Sequence, residues 1–309
     1  MDAFKIFGMY VLIYFFGLGL LEVAWHVFTK RRYNWQESIV SVMDMIIRRT
    51  ILFLVGGTLL IWVAPWLQQF RLADLPLTDA GVWHWGRVAA LFFGLEFLYY
   101  WFHRWSHEIR WFWATHAVHH SPNSMNFMTA ERLGWTQNLS GAMLVFAPLI
   151  LIGFRTNEIL GMFSINLLYQ YWLHTEMIGK LGPLEIIFNT PSHHRVHHAS
   201  NPTYLDANYG GILIIFDRLF GTFIQQRTEE KIVFGLVTPL KSSNPFYVAL
   251  HEWINIAVDV RSNWRQPKIL IGYLFGRPGW SHDGSRMTSS QILASAKVNP
   301  NVSTGPQLA

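Results

Sequence analysis

Apolar runs dominate the first 173 residues of the chain, and their lengths predict its architecture. Residues 3–28 are apolar with Lys5 and Glu22 as charged exceptions, more than the roughly 20 residues needed to cross a bilayer. They predict a first spanning helix. No small-x-small cleavage site follows, so this reads as a retained helix and not a signal peptide. Lys30, Arg31 and Arg32 close the run, and Arg48 and Arg49 precede the second, Thr50 to about Leu67. The positive-inside rule then places residues 29–49 in the cytoplasm. Residues 68–84 carry turn formers and few basic residues, as an outside loop would. A third run, Trp85 to Phe102, returns the chain to the cytoplasm and delivers His103 there. Runs from Gly134 to Gly153 and from Glu158 to Leu173 flank the break Phe154-Arg155-Thr156-Asn157 and predict a helical hairpin that ends at His174.

Between and after these runs the chain is polar. Residues 103–134 predict a cytoplasmic insert, and 175–226 are soluble in character, with turns at Gly182-Pro183 and Gly210-Gly211. Phe246, Leu250, Trp253, Ile254 and Ala257 recur with a helical period over 245–260, the pattern of an interfacial helix. From about Ser281 the composition is rich in Ser, Asn, Gly and Pro and predicts a mobile polar tail. The expected fold is an all-α, multi-pass integral membrane protein of four to five transmembrane helices with a cytoplasmic helical cap. Its expected divisions are N-terminal transmembrane helices (1–84), a catalytic domain (85–240), interfacial helices (241–280) and the tail (281–309).

Composition agrees: 51% of residues are hydrophobic and 14% charged, a membrane-protein balance. The formal charge of +5 sits beside the apolar runs and not in an aromatic-interleaved basic stripe. Anionic lipid headgroups are therefore the expected partners, and nucleic acid is not. The chain has no cysteine, which excludes disulfides, thiolate ligands and cysteine catalysis.

What the pattern does not explain is histidine. Pro191 to His198 holds four of them in six positions: His193, His194, His197 and His198. His103 and His107 are spaced i, i+4, so on a continuing helix both rings share one face. His116, His119 and His120 repeat the spacing of His194, His197 and His198, and His174 stands at a helix exit. One tetrahedral zinc takes four ligands, so this many imidazoles divide more naturally between two metals. Nitrogen donors suit iron, zinc or copper and disfavour calcium and magnesium. A metal pair beneath helices, with few carboxylates near, suits dioxygen activation better than hydrolysis. His193 reads either as a tenth ligand or as a hydrogen-bonding neighbour of ligands. Glu96, Glu176, Asp206 and Asn208 are candidates to support the ligands. Glu96, two helical turns before His103 inside an apolar run, also reads as a structural hydrogen bond to a neighbouring helix. A metal transporter would place its ligands in mid-span at broken helices, unlike these.

The three motifs, HxxxH at 103–107 and HxxHH at 116–120 and 194–198, resemble the fatty acid hydroxylase and sterol desaturase superfamily of membrane di-iron oxygenases. Tyr99 to Arg104, Gln170 to Glu176, Leu181 to Glu185, Asn189 to His198, Asn208 to Gly211 and Asp217 to Thr222 are similar in particular to its alkylglycerol monooxygenase group. The resemblance spans roughly residues 85–240. It implies two irons, replaceable by zinc during expression, held by the histidines of the three motifs and His174. It implies O2-dependent hydroxylation of a lipid carbon next to an ether oxygen, giving a hemiacetal that collapses to glycerol and a fatty aldehyde. Hydroxylation or desaturation of a fatty-acyl, sterol or ornithine lipid is the alternative within the superfamily. Electrons are expected from a separate donor, for which the resemblance implies tetrahydrobiopterin. Residues 127–135 follow the family loosely, which leaves the lipid open.

Overall fold

The computed structural model describes residues 3–78 and 81–298. Two helical stretches among them are long and apolar enough to cross a membrane, Met9–Phe28 and Trp35–Phe70. The first lies in α1 (Ala3–Phe28). The second comprises α2 (Trp35–Val55), α3 (Leu59–Leu67) and a 3₁₀ turn, Gln68–Phe70. Gly56 and Gly57 join α2 to α3 at φ of 78° and 123°, left-handed values that glycine adopts without a Cβ clash.

α2 departs from the expected connecting segment. It begins at Trp35, where the Asn34 side chain caps it by accepting from the Glu37 amide at 3.3 Å. Arg48 and Arg49 therefore lie inside a helix and not before one. The reason is that its polar face points inward. Ser38, Ser41 and Asp44 are buried, while Ile39, Met43, Ile46 and Phe53 are exposed. Asp44 accepts from the Leu133 amide at 3.0 Å and the Trp135 indole at 2.8 Å. The polar groups of α2 are thus satisfied within the protein and its apolar ones lie outside, as a helix meeting lipid would require.

α4 (His84–Glu108) runs unbroken past Phe102 and carries both His103 and His107. Its 25 residues extend about 37 Å. Ile109, in extended conformation, separates it from α5 (Arg110–His120). The run expected at 134–153 is not one helix. It passes Gly141 at φ 88°, a 3₁₀ turn at Ala142–Phe146 and α6 (Ala147–Ile152), too short for the roughly 20 residues of a span. Ser140, Gly141 and Pro148 interrupt it. α7 (Thr156–Tyr171) completes the hairpin about Phe154-Arg155, itself only 16 residues long. Leu60 of α3, Leu91 and Leu95 of α4, Phe146, Leu149 of α6 and Ile159 of α7 form the main apolar core.

The C-terminal half is a set of short helices: α8 (Pro191–His197), α9 (Ile215–Phe220), α10 (Pro245–Asn263), α11 (Pro267–Phe275) and α12 (Ser289–Val298). Among the described residues there is no named strand, and only isolated bridges join Phe188 to Leu213 and Ala199 to Phe234. Arg110, 2% exposed, ties α5 to α10 by donating to Glu252 at 2.7 Å and Asp259 at 2.6 Å, and to α11 through the Tyr273 carbonyl at 3.3 Å. The polar stretch from Ser281, expected as a mobile tail, contains α12. Buried Ile292 and a bond from the Thr288 amide to Gln291 at 2.8 Å anchor that helix. Residues 299–309 of the expected tail lie outside the described residues.

Candidate metal centre

The turn at Ile109 lays α5 back against α4, so His103 and His107 face His116 and His120. The chain reaches the same place twice more, at His174 after α7 and at α8. Seven residues form a helix at α8 because both ends are held. Pro191 supplies a preset φ at the first position. Glu185 accepts from Ser192 at 2.6 Å, Thr190 at 3.0 Å and the Leu181 amide at 3.0 Å. Arg195 donates to the carbonyls of Thr175 at 3.0 Å and Ile178 at 2.6 Å and to Gln226 at 3.0 Å. Its role is to clamp α8 to the His174 segment. Arg104 lies apart from the rings, pairing with Glu108 at 3.2 Å.

Nine histidines gather in two groups. His103, His107, His116, His120 and His197 form the first, and His119, His174, His194 and His198 the second; within each, the ligand atoms lie within 4.8 Å of one another. Each HxxHH motif is divided between them. The i, i+4 pair of α5 goes to the first group and its middle ring, His119, to the second; for His194, His197 and His198 the assignment is reversed. Helical geometry dictates this, since adjacent residues point about 100° apart. The groups meet where His120 and His198 stack at 4.3 Å and 16°.

Four rings are oriented by backbone carbonyls, which can only accept. His103 Nδ1 donates to Tyr209 at 2.8 Å, His197 Nδ1 to Ala207 at 2.8 Å, His119 Nδ1 to Arg132 at 3.0 Å and His174 Nδ1 to Gln170 at 2.9 Å. Burial pushes the His119 imidazole down to about 4 and that of His174 well below its usual value. Both rings are then neutral with the proton on Nδ1. Their Nε2 lone pairs face each other at 3.1 Å, which no hydrogen bond can relieve and a shared cation would. The other Nε2 pairs, at 3.0 Å for His103 with His116, 2.9 Å for His174 with His194 and 3.2 Å for His120 with His116, agree. Two nitrogens about 2.1 Å from one metal and at right angles lie about 3.0 Å apart, against about 3.4 Å for a tetrahedron. His107, His197 and His198 also bury Nε2 atoms without any hydrogen-bond partner. The donor set fits a metal pair.

Burial, and secondly the neighbouring rings, holds His103, His116, His120, His197 and His198 well below 6.5 as well. Below that value an unfolded chain takes up protons that the folded one refuses, so folded stability must fall with falling pH. For metal-free protein in detergent we expect the melting temperature to decline from pH 6.5 down through about 4, where His119 titrates. A flat profile over that window would contradict neutral buried rings.

The loop 206–211, which supplies two of the four carbonyls, is braced by groups whose role no histidine motif announces. Asp217, fully buried, accepts from the Tyr209 amide, the Gly210 amide and Thr222, each at 2.7 Å. Asn208, at φ 58°, donates to the carbonyls of His193 at 3.1 Å and Ile224 at 2.8 Å. Glu96 accepts from the amides of Ile212 at 2.9 Å and Leu213 at 2.8 Å and from Asn166. It joins α4, α7 and the loop, and touches no ring of either group. Asp206 lies 3.7 Å from His107 Nδ1. Glu176 is exposed, with no part in either group. His193 is outside both groups, 3.8 Å from Glu185 and edge-on to Phe223. Glu22 of α1, 1% exposed, was visible only as a charge in an apolar run; it accepts from the Phe127 amide at 2.7 Å and from Thr175, next to His174.

Replacing Asp217 with Asn places an NH2 group against the loop's own donors. The variant should bind metal about 10–100-fold more weakly, as expected when the groups orienting ligands are lost. Competition with a chelator reads this directly; unchanged affinity would show that the loop holds its shape unaided.

Comparison with known proteins now adds to this geometry. The fatty acid hydroxylase family matches residues 88–222, which contain all nine clustered histidines. The chain carries a fatty acid hydroxylase domain. Around that domain it is 35% identical over 303 residues to the alkylglycerol monooxygenase of Homo sapiens, covering 96% of this chain and 65% of the relative. With that of Danio rerio it shares 40% over 279 residues, 89% of this chain and 60% of the relative. An ornithine lipid hydroxylase of Rhizobium tropici shares 34% over 128 residues, 41% of this chain and 39% of that protein. The chain thus spans less than two thirds of these relatives' own lengths. No solved structure matches it significantly.

Proposed function

We propose that this chain is a membrane-bound lipid monooxygenase with two irons, acting on the carbon next to an ether oxygen of an alkylglycerol. The observation that carries the metal reading is the pair of neutral rings, His119 and His174, whose lone pairs meet at 3.1 Å. Identity to alkylglycerol monooxygenases over most of the chain supports the substrate. His103, His107, His116, His120 and His197 would hold one iron, and His119, His174, His194 and His198 the other. The all-nitrogen donor set would suit iron, and zinc can replace it there during expression. His193, outside both groups, is not assigned to a metal.

When bound, the irons supply dioxygen chemistry. The residues of the chain hold nine imidazoles in place, keep protons off eight of them by burial, and restrict water at the centre. One oxygen atom enters the C–H bond and the other leaves as water, with two electrons and two protons from an outside donor such as tetrahydrobiopterin. The resulting hemiacetal breaks its C–O bond to release a fatty aldehyde and glycerol. We place α1, the α2–α3 stretch and α4 in the membrane as spans, with the α6–α7 hairpin entering it without α6 crossing on its own. Residues 241–280 lie at its surface, and the metal centre is on the cytoplasmic side.

The likeness to an ornithine lipid hydroxylase favours a second reading, hydroxylation of another lipid by the same site. Iron-loaded protein with a reductant, offered alkylglycerol, sterol, free fatty acid and ornithine lipid in turn and analysed by mass spectrometry, separates them. Fatty aldehyde from the first alone supports ether cleavage. A product one oxygen heavier from another pool displaces it.

A further inference from the structure

Residues 182–188 and 215–220 were expected in a soluble region, yet they expose large apolar side chains: Leu184 55%, Ile186 61%, Ile187 49% and Leu219 72%. The two segments are one unit. The Ile214 amide donates to the Ile187 carbonyl at 2.9 Å. Arg218 donates to the carbonyls of Ile186 and Glu185, each at 3.1 Å, and lies 3.7 Å above the Phe223 ring. The unit is packed on the last turns of α4, with Phe216 against Phe97 at 5.7 Å and Phe220 stacked on Tyr100 at 5.0 Å.

We propose that this unit is a non-spanning wedge seated among the acyl chains of the leaflet nearest the histidines. It rests on the reading of α4 as a membrane span and not on the chemistry proposed above. Depth carries it. Glu96 binds the Ile212 and Leu213 amides, and it lies seven residues, about 10 Å along the helix, before His103. The loop leading into α9 is thus level with the interior of α4. Phe93 and Phe97 of α4 are exposed as well, so the wedge continues an apolar surface. Isolated exposed apolar residues need no explanation, but a contiguous patch of this kind marks an interaction site. Lys180 and Arg218, both exposed at its margin, are placed to meet lipid phosphates.

The absence of native cysteine permits single labels. Leu184→Cys, Ile187→Cys and Leu219→Cys, each with a nitroxide, would be compared in phosphatidylcholine–phosphatidylglycerol nanodiscs with Phe93→Cys on α4 and Glu229→Cys on an exposed loop. Collision with O2 should dominate at the three wedge positions and at Phe93, and collision with a neutral nickel chelate at Glu229. Chelate dominance at the wedge alone overturns the wedge; chelate dominance at Phe93 as well overturns the span reading beneath it. Spin–spin broadening that appears only with several copies per disc would assign the patch to a second copy instead, which also overturns it. For the unsubstituted protein, a phospholipid bearing a photoreactive diazirine in its acyl chain should label peptides 182–188 and 215–220. No labelling there would count against the wedge even if a cysteine variant misfolded.

Discussion

Replacing His198 with alanine should remove one of two bound metals and reduce lipid oxidation by at least about 100-fold. Losses of 10–100-fold follow when only a ligand's supporting partner is removed, and His198 is itself one of four rings in the second group. Three rings remain there, so metal content should fall from two toward one per chain, read by elemental analysis. His193→Ala is the matched control. Its ring sits one position from His194 but outside both groups, so it should retain two metals. If His198→Ala kept full turnover while metal uptake failed, the enzyme reading would give way to a metal-handling one. If both variants lost metal equally, the division of His193 from its neighbours would be wrong.

Arg110→Ala should destabilise the protein by about 3–5 kcal/mol, the cost of removing one partner from a buried ion pair. The guanidinium is 2% exposed and meets two carboxylates on α10. Without it Glu252, 13% exposed, loses its ion pair, and Asp259, 17% exposed, keeps Arg286 at 2.9 Å. Arg110→Lys should recover part of the loss, since an ammonium keeps the charge but cannot fork between two acids. Because α5 carries three of the proposed ligands, metal affinity should fall together with stability. Chemical unfolding in detergent measures the first effect and chelator competition the second. A change under about 1 kcal/mol would show that α5 is held by packing alone.

The histidine constellation was legible because its spacing survives translation into helices: HxxxH on α4 and HxxHH on α5 and α8 present their rings as the period predicts. The allocation of rings was not legible. It depends on the angle at which α5 and α8 meet, and a spacing contains no such angle. The second span is expected from Thr50 because Arg48 and Arg49 precede its apolar run; Ser38, Ser41 and Asp44, buried against residues 126–135, instead form the inner face of a helix that begins at Trp35. The carbonyls of Arg132, Gln170, Ala207 and Tyr209 were out of reach for a different reason. A backbone acceptor is present at every position, and only the fold selects which ones a ring meets. The sequence leaves Glu96 open between support for the ligands and a structural hydrogen bond; its partners are Asn166 and two amides 116 and 117 residues away.

The exchange of the middle rings between α5 and α8 has a thermodynamic consequence. Each helix contributes to both centres, so ordering one centre also orders part of the other. An ion entering one centre fixes the two helices that furnish the other and meets their ordering cost for both. The second ion then binds to a site already formed, a coupling through restricted motion. Iron uptake followed by calorimetry should therefore be cooperative, with singly loaded protein scarce at half saturation.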